Sequence, residues 1–111
     1  MNVYDTANKL AQELKQSEEY VNYKMAKETL KLKPDLKKKI DEFENARYDA
    51  QVTAIQNGKS DEEKTKKMQQ LYIDLYENPD ATKFFDAETK FNTMLTDVNK
   101  IIGDAVMDVL K

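Results

Sequence analysis

Residues 79–110 read PDATKFFDAETKFNTMLTDVNKIIGDAVMDVL, and within them Phe84, Phe91, Val98 and Ala105 fall seven residues apart. Ala87, Met94 and Ile101 repeat at the same spacing, while Leu95, Ile102 and Val109 widen the stripe. This is the recurrence of an α-helix with one apolar face. Lys83, Asp86, Lys90, Asp97, Lys100, Asp104 and Asp108 form the opposite, wet face. Such a helix is about 45 Å long at 1.5 Å per residue. A compact domain of ~100 residues has a radius of gyration of only ~13 Å. Part of the stripe therefore overhangs its own chain, and an exposed apolar stripe marks an interaction surface. Phe84 to Leu95 is expected to pack within the chain. Val98, Ile101, Ile102, Ala105 and Val109 are expected to form a contact between subunits or with another protein.

Upstream of this stretch the punctuation predicts four more helices. Val3, Ala7, Leu10 and Leu14 form an amphipathic stripe over about 3–16, with Asn2 as its N-cap. Ser17-Glu18-Glu19 restarts or bends the chain into a segment of about 18–32 carrying Tyr20, Val21, Met25 and Leu30. Pro34 excludes the helical conformation at Lys33 and suits the first position of a helix over 34–57. Leu36, Ile40, Phe43, Ala50 and Ala54 share one face of it, and Val52 and Ile55 add a late second edge. Asn57-Gly58 stops that helix. Ser60-Asp61-Glu62-Glu63 reads as a capping box with Ser60 as N-cap. It opens a helix over about 61–77 with Met68, Leu71, Tyr72 and Leu75 inward, and Asn78-Pro79 starts the last helix. The expected fold class is all-α, with about five helices in one domain of 111 residues. They form an elongated antiparallel helical hairpin or bundle ending in the long C-terminal helix.

Composition excludes much chemistry. Of 111 residues 40% are hydrophobic and 35% charged, with two Gly, two Pro, no Cys and no His. Disulfides, thiol nucleophiles, Cys/His zinc sites and histidine acid–base catalysis are thereby removed. The net charge is −3, and seventeen of the eighteen basic residues are Lys, with Arg47 the exception. No overall field draws the chain to nucleic acid, and the residue that reads phosphates bidentately is nearly missing. The start of the chain has no basic residue and no apolar run, and no stretch approaches a membrane span, so a cytoplasmic protein is expected.

Three side-chain groups could still carry function. Lys31, Lys33, Lys37, Lys38 and Lys39 surround Pro34 and could hold RNA phosphates. Their plainer reading is a solvated helix junction, since no Arg and no aromatic stacking platform accompanies them. Arg47 lies one turn after Phe43 on an apolar face, where it needs an acid such as Glu44 or Glu88, or else a partner chain. Carboxylates are plentiful, but Asp86, Asp97, Asp104 and Asp108 fall on the wet face, whereas a magnesium site or an acid pair needs inward ones. No enzyme activity, cofactor, metal or small-molecule substrate is expected.

Asn78-Pro79, Phe85, Ala87-Glu88, Leu95, Val98-Asn99 and Ile101-Ile102 resemble the bacterial YlbF/YmcA family, especially its YheA-like branch. Ser17-Glu18-Glu19-Tyr20 with Lys24 matches the same pattern, so the likeness covers nearly the whole chain. These motifs are helix caps and apolar positions, specific to a fold more than to a chemistry. The resemblance implies a helical bundle that forms homo- or hetero-oligomers and acts as a non-enzymatic regulator in Gram-positive bacteria. Some relatives act in a complex linked to competence, sporulation, biofilm formation and the RNA-decay nuclease RNase Y, with iron–sulfur clusters held by Cys. This chain has no Cys to hold such a cluster. The expectation is an oligomeric regulatory or adaptor protein, a dimer or tetramer. The alternative is an RNA-associated accessory factor using the Lys patch.

Overall fold

The computed structural model describes residues 2–111, and among them every regular element is a helix: α1 (Val3–Gln16), α2 (Glu18–Lys31), α3 (Pro34–Asn57), α4 (Glu62–Tyr76) and α5 (Pro79–Leu110). Each boundary has a local cause. Asn2 Oδ1 accepts from the Tyr4 N–H at 2.8 Å and caps α1. Ser17 is a true break, with extended backbone at φ −67° and ψ 151°. Its hydroxyl donates to the Leu14 carbonyl at 2.6 Å and accepts from the Tyr20 N–H at 3.1 Å, so one side chain closes α1 and opens α2.

Pro34 begins α3, and Gly58 ends it at φ +72°, the left-handed conformation that a Cβ penalises. The cap of α4 differs from the expected one. Asp61, not Ser60, is the N-cap, its Oδ1 accepting from the Lys64 N–H at 3.1 Å. An ionised carboxylate beside the positive end of a helix is the stronger acceptor, so the chain stays extended one residue longer. Asn78 Oδ1 accepts from the Asp80 N–H at 3.0 Å at the start of α5, as the Asn-Pro pair predicts.

The helices divide between two compact units, one of Lys27–Lys83 and one combining the chain up to Ala26 with Phe84–Lys111. In the first, α3 and α4 form an antiparallel hairpin. The Phe43 and Tyr72 rings meet at 5.4 Å near one end. Near the other, Lys64 Nζ donates to Thr53 Oγ1 at 2.8 Å and contacts Asp49 at 3.2 Å. Leu30, Leu36, Ile40, Phe43, Leu75 and Ala81 are buried in this unit. The expected second edge of α3 fails at Ile55, which is exposed, while Thr53 is buried in its place. Thr53 tolerates burial because Lys64 satisfies its hydroxyl.

In the second unit, α2 and α5 run antiparallel through an aromatic cluster. Tyr20 meets Phe91 at 6.2 Å, and Tyr23 meets Phe91 at 5.4 Å and Phe84 at 5.8 Å. The Tyr23 hydroxyl donates to Glu88 at 3.3 Å. The inward face of α2 thus runs through Tyr20 and Tyr23, and of the apolar residues read on this helix Leu30 is buried while Val21 and Met25 are exposed. Tyr23 offers a large ring and a hydroxyl that finds a carboxylate, and that combination outweighs the smaller apolar residues beside it. Phe84, Phe85 and Ala87 are buried, but of the proximal stripe expected to pack within the chain Phe91 and Met94 are only half-buried and Leu95 is 36% exposed.

Candidate functional site

Beyond Ala87, no residue of α5 is buried, and α1 contains no buried residue at all. The stripe of α5 continues past the aromatic cluster into open surface. Of the five residues assigned to a contact, Val98 is half-buried and Ala105 exposed. Ile101 is 69%, Ile102 53% and Val109 80% exposed. Val3 and Tyr4 of α1, in the same unit, are exposed too, and Leu10 and Leu14 are half-buried. Isoleucine and valine side chains are thus largely open to water over the last four turns of a helix, an exposed apolar surface of the sort found where proteins meet. Lys100 and Asp104, which pair at 2.9 Å, hold the opposite, charged sector.

Three exposed apolar residues of α5 escaped the sequence reading: Val106, Met107 and Leu110. They lie off the seven-residue repeat, on a second arc of the same helix. The available signal was the narrowness of the charged sector, which leaves most of the circumference without a charge.

The Lys patch lies around the start of α3, and the structure occupies most of it with carboxylates. Lys31 pairs with Glu28 at 3.3 Å, Lys37 pairs with Asp41 at 3.1 Å, and Lys33 pairs with Asp80. Lys38 and Lys39 are exposed. An open groove of about 420 Å³ is lined by Lys33, Pro34, Leu36, Lys39, Asp74 and Asn78 among others. It brings Lys33 and Lys39 together but not Lys31, Lys37 or Lys38. Arg47 lies over a ring: its guanidinium carbon is 5.4 Å from the centroid of Phe43. The ring face attracts the guanidinium electrostatically. Glu88, one of the two acids considered for it, accepts from Tyr23. Among the described residues no group of three or more carboxylates is placed to hold a metal ion, and no helix is long and apolar enough to cross a membrane.

A UPF0342 protein of Desulfitobacterium hafniense is 36% identical over 110 residues, covering 99% of this chain and 89% of the relative. A UPF0342 protein of Symbiobacterium thermophilum is 35% identical over 104 residues, 94% of this chain and 93% of its own length. One from Clostridium novyi is 32% identical over 108 residues, 97% and 95% of the two chains. No solved structure matches the chain. The family described as control of competence regulator ComK, YlbF/YmcA, matches residues 3–107, nearly the whole length. On that span of sequence, and on five helices ending in the long α5, the chain belongs to the YlbF/YmcA family.

Proposed function

We propose that the chain is a cytoplasmic regulatory protein without enzymatic activity, and that it works through helix contacts, first with a second copy of itself. The observation that carries this reading is the open stripe of α5, where Ile101 and Val109 are 69% and 80% exposed. Covering such residues is the main favourable term in protein association. The description of the family as control of a competence regulator supports a regulatory role in a process of that kind. An oligomer built on α5 presents its remaining helix surfaces, in several copies, to whatever protein it regulates.

The RNA reading draws less support, because Lys31, Lys33 and Lys37 each already hold a carboxylate. Those carboxylates weaken the local positive field, although each exposed pair is itself worth only a few tenths of a kcal/mol.

The test is Ile101→Asp, followed by light scattering and far-ultraviolet circular dichroism. A buried charge without a partner is strongly unfavourable, so the variant dissociates while its helicity persists. A variant that keeps the mass of the parent oligomer removes Ile101 from the interface and with it the proposed surface.

A further inference from the structure

Ser17 alone separates α1 from α2, and no proline or glycine helps it: the first Pro in the chain is Pro34 and the first Gly is Gly58. Its side chain holds the break by competing with the helix ladder. The hydroxyl donates to the Leu14 carbonyl, which a continuous helix would offer to the Glu18 N–H. It accepts from the Tyr20 N–H, which a continuous helix would give to the Gln16 carbonyl. The Ser17 N–H also turns back to the Leu14 carbonyl, at 3.2 Å. One hydroxyl therefore stands between the two helices seen and a single helix over 3–31.

The apolar pattern fits that single helix. At 3.6 residues per turn, Val3, Ala7, Leu10, Leu14, Val21 and Met25 fall within an arc of about 60° once the break is removed, with Ser17 at its border. With the break in place, Val21 and Met25 are 42% and 63% exposed. The inward side of α2 is then carried by Tyr23, about 160° around the helix from either of them. Thus α2 has two apolar faces, and the break decides which of them meets α5. We infer that Ser17 is a register switch: the chain passes between the broken form and a continuous α1–α2 helix in which Val21 and Met25 replace Tyr23 on the inward side. The Phe84 and Phe91 rings and the Glu88 carboxylate hold Tyr23 inward and favour the broken form. Glu18 and Glu19, as the first residues of α2, have N–H groups without a helical carbonyl, and bonding them favours the continuous form. Two packings of one segment, selected by a local bond, are the elements of a conformational switch. The switch belongs to the single chain and does not rest on self-association.

Ser17→Leu and Ser17→Ala remove the hydroxyl and favour a helix interior, whereas Ser17→Asp keeps an acceptor for the Tyr20 N–H. Amide hydrogen exchange reads the ladder at the break. Protection at Glu18 and Glu19 should rise roughly tenfold in the Leu and Ala variants and keep its parental value in Ser17→Asp. Because the chain has no Cys, a thiol introduced by Met25→Cys reports the turn of α2. Its labelling rate should fall roughly tenfold when Ser17→Leu is added, since the side chain then faces inward. If Ser17→Leu unfolds the chain, Ser17→Ala, which adds no bulk, carries both readings. Unchanged protection in folded variants without the hydroxyl overturns the switch. Protection that rises while the Met25→Cys thiol reacts as fast as before shows a fused helix without a change of register, and overturns it as well. A parent chain that is monomeric at every concentration would remove the proposed function and leave this test unaffected.

Discussion

Two isoleucines, truncated identically, distinguish what the folded chain buries from what the assembly buries. Ile40 is 2% exposed in the α3–α4 hairpin, whereas Ile101 is 69% exposed on α5. Ile40→Ala removes buried methyl and methylene groups and leaves a cavity, at a cost of about 2–5 kcal/mol. Against a total stability of ~5–15 kcal/mol for a domain of this size, that is a large share, and it is independent of protein concentration. For an isolated chain, Ile101→Ala is a surface change worth no more than about 0.5 kcal/mol either way. If a second copy covers Ile101, the truncated groups leave an interface instead. At ~0.8 kcal/mol per buried CH₂, discounted for the part already covered, the loss is about 1.5 kcal/mol per chain. Urea unfolding, followed by circular dichroism at two protein concentrations a hundredfold apart, reads both effects. Mass action should shift the parent protein's apparent stability by about 2.7 kcal/mol over that range. Ile101→Ala should narrow the gap and Ile40→Ala should lower both curves equally. A parent midpoint unaffected by concentration, with a neutral Ile101→Ala, refutes the reasoning.

Two further outcomes follow from named contacts. Asp61→Ala should cost about 1 kcal/mol in urea unfolding, the usual loss on removing an N-cap, while Ser60→Ala should be silent; the reverse order would return the cap to Ser60. Reversing the charge of Lys37, Lys38 and Lys39 together should leave the solution mass unchanged, and a single-stranded RNA should not be retained on a filter even at low salt. Retention by the parent chain that falls steeply with salt and vanishes in the triple variant would restore the RNA reading.

How much of this was legible in the sequence depends on how local each signal is. Pro34, Gly58 and Asn78-Pro79 constrain their own backbone, and the helices end or begin there as expected. Ser17 was ambiguous on paper because a serine can bend a helix or cap one, and only its two hydrogen bonds, to Leu14 and Tyr20, decide between them. On α2 the sequence picks out Tyr20, Val21, Met25 and Leu30, of which Val21 and Met25 are exposed, and passes over Tyr23. Tyr23 takes its inward position through rings and a carboxylate that come from α5, about 65 residues away in the chain. Arg47 likewise settles on Phe43, a neighbour one turn away that was seen but not considered as its partner. The candidate interface was half legible. A seven-residue repeat picks out Val98, Ile101 and Ala105, but it follows one arc and passes over Val106, Met107 and Leu110. Their significance emerges only once the helix is seen to have no cover on that side either.

The most direct test of the central claim, that α5 is covered by another copy of the chain, is the solution mass of the unmodified protein by light scattering across a concentration series. The account predicts a dimer or tetramer that persists on dilution into the micromolar range and is insensitive to added salt, because apolar burial is not screened. A monomer at every concentration would contradict it, and would leave Ile101, Ile102 and Val109 without the second copy that explains them.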